Sequence, residues 1–526
     1  MKTIFRCAVV ALVAAAPLSA QAPERAVFLV RLGLDTLAVE TATWTAARAD
    51  ATLRLRTPIV KLDRHIAFTP SGDVREVESV AGYGIAGDSA RTRAVITVQA
   101  DSGHLRVEPA GGAPVQELRF AMPSGAVPFT NLSGQTLELA LRRARASRRD
   151  TSDVPLLLSN GQSLRLRVTR LGADSAVLSI SGVDIRARTD AVGHFLGAVI
   201  PSQGATFERL DADSPVAAWM PVRPSYAAPA NAPYVAEDLV VRTPAGIVLA
   251  GTLTMPKHAA GARMPAVVLI TGSGAQDRDE AIPSLGNYHP FREIADSLSR
   301  RGIAVLRLDD RGIGGSAAGP ASATSADYAD DIRAALALLR ARADVDPARL
   351  GLVGHSEGGL IAPMIAARDS TLRAIVLVAG PAKTGREILA FQRRQAIAGD
   401  TSIAPAARDS VFARATEQFS RTLGTTPWVS FFEAYDPLPT ARLVRARTLI
   451  LQGETDRQVT AEQASMLADA MRKAGNRHVM LRTFPRMNHL MLDDASGDPA
   501  GYKSLSSYGI SRAFLGALTE WLVANL

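Results

Sequence analysis

The sequence predicts an α/β fold with a mostly parallel, eight-stranded sheet covered by helices on both faces, preceded by a β-rich antiparallel domain. Between residues 26 and 210 apolar and polar residues alternate, as in Ser163–Val168, which is typical of half-buried antiparallel strands. After Tyr234, continuous apolar segments such as Ala266–Ile270 alternate with helical patterns. Strands of that kind indicate a parallel sheet buried on both faces.

The pattern changes across a stretch with prolines at 215, 221, 224, 229 and 233, a composition that favours an extended linker. Before the β-rich part, Lys2 and Arg6 precede an apolar run from Cys7 to Leu18 and small residues, which together predict a secretory signal peptide and a secreted or periplasmic protein. No later segment predicts a membrane span. The predicted units are a signal peptide (1–22), a β-rich domain (23–213), a Pro/Ala-rich linker (214–234) and a catalytic domain (235–526) with a helical cap insertion at about 381–447.

Composition excludes several classes of function. The 526 residues are 47% hydrophobic and 21% charged, which is typical of globular domains and not of disorder. Cys7 is the only cysteine and would leave with the signal peptide, so disulfides, thiol catalysis and cysteine-bound metals are excluded. A net charge of +8 is small for this length, and the densest basic run, at residues 142–149, lacks interleaved aromatic residues. We therefore expect no nucleic-acid partner.

Gly354-His-Ser-Glu-Gly358 lies between a predicted strand and a predicted helix. This is the setting of a nucleophile elbow, in which flanking glycines allow a strained turn that presents a serine at a helix N-terminus. Ser356 is therefore the candidate nucleophile. A serine hydroxyl needs a neighbouring base, usually a histidine that a carboxylate orients.

His489 is the candidate base among eight histidines, because it follows the last predicted strand at the carboxyl edge of the sheet, where active sites of open α/β sheets lie. The acid should follow the strand before it. Asp456 is the first choice, and Glu454, two residues away, is the alternative. The order of nucleophile, acid and base along the chain then agrees with that of hydrolases whose serine lies in a nucleophile elbow.

An oxyanion formed by serine attack needs fixed N–H donors. The backbone of Glu357, directly after the nucleophile, is expected to supply one, and Ser273, in the glycine-containing loop after Ile270, the other. The glycines of this loop match neither a dinucleotide-binding nor a P-loop pattern, and no metal-binding motif occurs, so we expect no cofactor and no metal. An aromatic cluster in the cap could line a substrate pocket or only pack within the cap: Trp428, Phe431, Phe432 and Tyr435.

The sequence contains six motifs in the order in which they occur in one known family. They are Gly272–Glu280, Asp309–Ser316, Gly354–Gly359, Tyr435–Pro437, Gly453–Asp456 and Asn488–His489. Residues 235–526 thereby resemble the α/β-hydrolase superfamily, and within it the EstD-like bacterial carboxylesterases related to the prolyl-oligopeptidase and dienelactone-hydrolase groups. The resemblance implies that Ser356, Asp456 and His489 form a catalytic triad.

The expected function is that of a serine hydrolase, foremost a carboxylesterase that cleaves small acyl esters through an acyl-enzyme on Ser356. One alternative is a serine peptidase of the prolyl-oligopeptidase type, which uses the same triad. Another, of a different class, is an envelope- or carbohydrate-binding protein whose hydrolase domain is vestigial. The sequence leaves acyl preference, the role of the first domain and oligomeric state open.

Overall fold

The structure is a computed structural model, and its described residues form two β-sheets, one in each predicted domain. It describes residues 22–33, 35–56, 60–83, 91–109, 114–180, 183–190, 193–201, 203–221, 225–274, 276–320, 322–401, 403–422, 424 and 426–526. The expected signal peptide, except for its last residue, lies outside the described residues.

The first sheet has fifteen strands in one continuous order, β8-β7-β6-β5-β4-β3-β2-β1-β15-β14-β13-β12-β11-β10-β9. Neighbours in the sheet are antiparallel except β9 and β10, so two meanders meet where β1 pairs with β15. The strands are β1 (Glu24–Leu32), β2 (Asp35–Trp44), β3 (Arg48–Leu55), β4 (Val60–Phe68), β5 (Val74–Tyr83), β6 (Arg91–Gln99), β7 (Ser102–Glu108), β8 (Gln116–Ala121), β9 (Val127–Pro128), β10 (Thr151–Leu157), β11 (Ser163–Arg170), β12 (Ser175–Ile180), β13 (Val183–Thr189), β14 (Phe195–Ile200) and β15 (Ala205–Leu210).

Helix α1 (Gly134–Ala146) joins the core of this sheet. Its N-cap residue, Ser133, accepts a hydrogen bond from the N–H of Thr136 and donates to the buried carboxylate of Glu40. A carboxylate at a helix N-terminus is favoured by the helix dipole. The helix is therefore held by buried polar contacts as well as by its apolar face.

The second sheet has eight strands in the order β16-β17-β19-β18-β20-β21-β22-β23. Strand β17 is antiparallel to both neighbours, and the remaining pairs are parallel. The strands are β16 (Tyr234–Arg242), β17 (Val248–Pro256), β18 (Met264–Ile270), β19 (Ala304–Leu308), β20 (Val345–His355), β21 (Ala374–Val378), β22 (Arg447–Gly453) and β23 (Val479–Phe484).

Helices cover both faces of this sheet. Alternate residues of β18 belong to different cores, since Val267 packs with α2 and α10 whereas Val268 packs with α3, α4 and α9. Between β21 and β22, in the interval predicted for the cap, the described residues form four further α-helices. The helices are α2 (Pro290–Ser299), α3 (Ser325–Ala341), α4 (Glu357–Ala366), α5 (Gly385–Gly399), α6 (Arg408–Thr422), α7 (Pro427–Ala434), α8 (Pro437–Ala441), α9 (Glu462–Lys473) and α10 (Arg512–Asn525).

The predicted fold class is thereby confirmed: an antiparallel β-rich domain precedes an α/β-hydrolase fold. The predicted linker has ordered ends that belong to different domains. Val216, in a short 3-10 helix, packs against β1 and β2, whereas Tyr226 is buried against Arg278 of the second domain. Among the described residues, no helix combines the length and apolar character needed to cross a membrane.

Candidate active site

Ser356 lies in a sharp turn between β20 and α4 with φ +53° and ψ −116°. This left-handed conformation is uncommon for a residue with a side chain, and it is held here by the flanking glycines. A Cβ on Gly354 would lie 2.0 Å from the carbonyl oxygen of Gly358, and a Cβ on Gly358 would lie 2.2 Å from that of Ile270. The elbow therefore requires glycine at both positions.

The structure brings Ser356, His489 and Asp456 together from the carboxyl edge of the sheet. His489 Nε2 is 3.1 Å from Ser356 Oγ, and His489 Nδ1 is 2.9 Å from Asp456 Oδ2. Because a carboxylate only accepts, Nδ1 carries the hydrogen, and Nε2 faces the serine hydroxyl with its lone pair. This arrangement can remove a proton from the hydroxyl as its oxygen attacks.

Hydrogen bonds to both carboxylate oxygens hold Asp456 in place. Its Oδ1 accepts the backbone N–H groups of Gln458 and Val459, at 2.8 and 2.9 Å, while Oδ2 also accepts from the side-chain amide of Gln452. The alternative acid, Glu454, is exposed and accepts a hydrogen bond from Thr483. The geometry thus favours Asp456 as the partner of His489.

The two expected oxyanion donors face no competing acceptor. Within the described part of the chain, the backbone N–H groups of Glu357 and Ser273 have no hydrogen-bond partner. The N–H of Gly272 is different, because it donates to Glu280 Oε1 at 2.7 Å. The N–H groups of Glu357 and Ser273 are therefore free to bind a negative oxygen, whereas that of Gly272 is not.

Asp310 anchors the loop that carries Ser273. Its Oδ1 accepts from the hydroxyl of Thr271 and its Oδ2 from the N–H of Gln276, both at 2.9 Å. Burial, together with the nearby carboxylates of Glu280 and Glu357, raises the pKa of Asp310 to about 8. The loop is consequently held by a carboxyl group that is favoured in its neutral form.

A cavity of about 250 Å³ opens onto Ser356 and His489. Of the aromatic cluster predicted in the cap, Trp428 and Phe432 line it, with their rings stacked at 5.4 Å. Phe431 and Tyr435 stack on each other and are not among its lining residues. The other lining side chains include Gln276, Ile388, Leu389, Gln392, Gln458, Leu490 and Met491.

Two residues of this site were not singled out from the sequence. His355 is buried beside Ser356, with Nδ1 2.8 Å from Glu280 Oε1 and Nε2 2.9 Å from the carbonyl oxygen of His489. The choice of His489 among the eight histidines left His355, which lies inside the elbow motif, without a predicted role. Both residues nevertheless belong to motifs that the sequence analysis identified. Glu280 is the last residue of the first of the six motifs, and His355 belongs to the third, so their occurrence together could have pointed to this pair.

One further cluster could by geometry hold a cation: Glu24, Glu138 and His194 come within 4.8 Å of one another. The guanidinium groups of Arg142 and Arg209 already donate to both carboxylates, at 2.6 to 2.8 Å. The positive charge of this cluster is supplied by arginine.

Comparisons with known proteins agree with the fold and the motifs. Residues 286–426 match the family described as serine aminopeptidase, S33, and residues 411–508 match the prolyl oligopeptidase family. Esterase EstD of Thermotoga maritima is 28% identical over 286 residues, which cover 52% of this chain and 65% of EstD. An uncharacterized protein of Pseudomonas aeruginosa, PA2218, is 30% identical over 132 residues, 25% of this chain and 33% of that protein.

Among solved structures, the esterase Pf2001 of Pyrococcus furiosus aligns with a TM-score of 0.40 at 15% identity, covering 58% of this chain and 96% of that one. The chain spans less than two thirds of the length of EstD and of PA2218. The resemblance to α/β-hydrolases and to EstD predicted from the motifs is confirmed. The family matches and the likeness to EstD support a hydrolase.

Proposed function

We propose that this chain, with its α/β-hydrolase fold and its likeness to an esterase, is a carboxylesterase that cleaves esters of small acyl groups. The observation that carries the proposal is the hydrogen-bonded series Ser356–His489–Asp456, in which each distance is short enough for proton transfer or orientation. The named relative EstD is an esterase, which supports the same reaction class.

In this mechanism Ser356 Oγ attacks the ester carbonyl carbon while its proton passes to His489 Nε2. The imidazolium is stabilised by Asp456, and the negative oxygen of the tetrahedral intermediate is bound by the N–H groups of Glu357 and Ser273. The bond to the alcohol oxygen then breaks, and His489 returns the proton to that oxygen. Water releases the acyl group by the same steps.

The size of the cavity supports small substrates. Its volume of about 250 Å³ lies below the roughly 300–1,000 Å³ of pockets that enclose drug-sized ligands. On the cap side its walls are mostly apolar, from Trp428, Phe432 and Ile388, and Gln392 adds one polar side chain. We expect kcat/KM to be highest for acetyl to butyryl nitrophenyl esters and to fall for octanoyl and longer chains.

The decisive experiment replaces the nucleophile. Ser356→Ala should remain folded by circular dichroism and lose about three or more orders of magnitude in kcat, because the covalent intermediate cannot form. A fluorophosphonate probe should label the unmodified protein and not the variant. An unmodified protein that is neither labelled nor active would instead favour a binding protein with a vestigial hydrolase domain.

A peptidase remains the second candidate, since one matched family is that of prolyl oligopeptidases and another is described as serine aminopeptidase. Parallel assays on nitrophenyl esters and aminoacyl nitroanilides separate the two activities. Turnover of the anilides at rates comparable to the esters would favour the peptidase. Export from the cytoplasm is part of the proposal, and the mature N-terminus found by mass spectrometry tests it.

A further inference from the structure

The ring of His355 faces two acceptors. Its Nδ1 is 2.8 Å from Glu280 Oε1, and its Nε2 is 2.9 Å from the backbone carbonyl oxygen of His489. Neither a carboxylate nor a carbonyl can donate a hydrogen bond. With Glu280 ionised, both contacts are satisfied together only when both ring nitrogens carry hydrogen, which makes the side chain a cation.

Because His355 is buried, its positive charge is stabilised by the carboxylate of Glu280 and not by water. The side chains of His355 and Glu280 are 5% and 4% exposed, and Glu280 Oε2 has no hydrogen-bond partner among the described residues. Burial acts to lower the pKa of His355, but the adjacent Glu280 carboxylate, together with the hydrogen bond to the His489 carbonyl and the negative charge of Asp456, more than offsets it, so the pKa lies above its usual value. The protonated form is therefore kept below the raised pKa and lost as the pH rises through it.

Glu280 and His355 are each one residue away from the catalytic groups. Glu280 is linked to them by Gly272, and His355 is linked to them by the backbone of His489. Glu280 Oε1 also accepts the N–H of Gly272, and a Cβ on Gly272 would lie 3.3 Å from Ser356 Cβ. Glu280 itself has φ +53°, a strained conformation of the kind that clusters at functional sites. The pair thus joins the loop that carries the oxyanion donor to the loop that carries the catalytic histidine.

We propose that Glu280 and His355 form a buried ion pair that positions His489 and the oxyanion loop and sets the alkaline limit of catalysis. The inference rests on the proposed esterase function, which it deepens. His355 and Glu280 are positioning residues, because they act through His489 and Gly272. Loss of the proton from His355 removes one of its two donated hydrogen bonds and releases one loop from the other.

Charge balance gives the carboxylate a second role. The rings of His355 and His489 lie 5.0 Å apart, so a cationic His355 opposes the positive charge that His489 gains during catalysis. Glu280 neutralises His355, and Asp456 faces His489 from the other side. The other charged or titratable groups whose electrostatics involve Glu280 are Asp310, after β19, and Tyr288, before α2.

The test compares pH profiles of kcat and KM on nitrophenyl acetate for the unmodified protein, Glu280→Gln and His355→Gln. Glu280→Gln keeps an oxygen that can accept from Gly272 and His355 but removes the charge. We expect its alkaline limb to move to lower pH by about one unit or more. His355→Gln has no titrating ring, so that limb should disappear while kcat falls about 10- to 100-fold, as expected for loosened catalytic geometry, with a smaller change in KM.

Glu454→Gln is the matched control, because Glu454 is an exposed carboxylate at the same sheet edge, and its profile should equal that of the unmodified protein. A purely structural role of the pair would lower activity without moving the limb. Alkaline limbs that coincide in the unmodified protein and in both variants of the pair would overturn the proposal.

A second measurement needs no turnover. In protein labelled with ¹⁵N-histidine, which has eight histidines, the His355 resonances are identified by comparison with Glu280→Gln and His355→Gln. Both ring nitrogens should be protonated at neutral pH in the unmodified protein. An unprotonated nitrogen there would overturn the ion pair even in an active esterase, whereas an inactive protein with a cationic His355 would overturn only the esterase proposal.

Discussion

At the level of single residues, two carboxylates two positions apart differ in what surrounds them. Asp456 has a fully buried side chain that accepts from His489, Gln452 and two backbone amides, whereas Glu454 is exposed. Asp456→Asn should reduce kcat by about four orders of magnitude, because the amide no longer holds the imidazole in the required tautomer. Glu454→Gln should stay within about two-fold. The reverse ranking in a nitrophenyl acetate assay would transfer the role to Glu454.

Asp310 predicts a pH dependence of stability. Its pKa is raised by burial from 3.8 to about 8, so the folded state holds the proton more tightly than the unfolded state. The free energy of unfolding contributed by this group therefore falls as the pH rises between those values. Asp310→Asn has no such dependence. Urea titrations at several pH values should show the unmodified protein losing stability relative to the variant from about pH 5 to pH 8, and parallel profiles would contradict this.

The candidate triad could be predicted from residue patterns because each member follows a recognisable strand, and Ser356 has glycines where the turn needs them. Glu280 and His355 could not be predicted this way. Their significance comes from a contact across 75 positions of sequence, together with a hydrogen bond to the backbone of His489 that no side-chain pattern records.

At the level of elements, helix α7 is tied to the elbow by one side chain. Trp428 Nε1 donates to Glu357 Oε1 at 2.8 Å, and its ring stacks on Phe432. Trp428→Phe keeps an aromatic ring but removes the donor. Loss of one hydrogen bond, about 1 kcal/mol, should raise KM for short esters about five-fold and change kcat by less.

Phe431→Leu is the control for this prediction, because Phe431 stacks on Tyr435 and does not line the cavity. Steady-state kinetics on the butyryl ester measure both variants. A fall in kcat at constant KM in Trp428→Phe would show that the contact acts on the oxyanion donor and not on substrate binding.

Elements of the first domain show where local patterns were insufficient. Asn160-Gly161 predicts a tight type I′ turn, but β10 and β11 are joined by residues 158–162, and of the two residues Gly161 alone has a positive φ. This prediction was wrong. The N–H of Leu158 donates to the carbonyl oxygen of Gln162, so the loop between the two strands is longer than the two residues of a type I′ turn. Likewise the basic run after Ala140 predicts a solvated helix face, yet Arg142 pairs with Glu24 of β1 and Arg143 with Asp73 in the turn between β4 and β5, although both arginines stay partly exposed.

At the level of the whole molecule, the second half of the linker belongs to the catalytic domain. Tyr226 is 9% exposed, with the guanidinium carbon of Arg278 4.2 Å from its ring centroid, and Arg292 donates to the carbonyl oxygen of Ser225 at 2.7 Å. A fragment of residues 225–526 should be more stable than one of residues 235–526 by about 3 kcal/mol or more, because the shorter fragment lacks two buried aromatic side chains, Tyr226 and Tyr234.

Urea unfolding of the two fragments tests this, with the full chain as the reference. Equal unfolding midpoints would show that residues 225–234 contribute nothing to the stability of the catalytic domain. Both fragments retain Ser356, Asp456 and His489, so the comparison concerns stability alone.

Strand periodicity, proline content and elbow glycines are local properties of the chain, so they were sufficient to predict the two-part architecture and the candidate nucleophile, acid and base. Tertiary structure decided which of two carboxylates faces His489, which aromatic residues line the cavity, and that Glu280 and His355 meet behind Ser356. These depend on the directions of side chains that converge from separate helices, strands and loops, and neighbouring positions in sequence do not encode those directions.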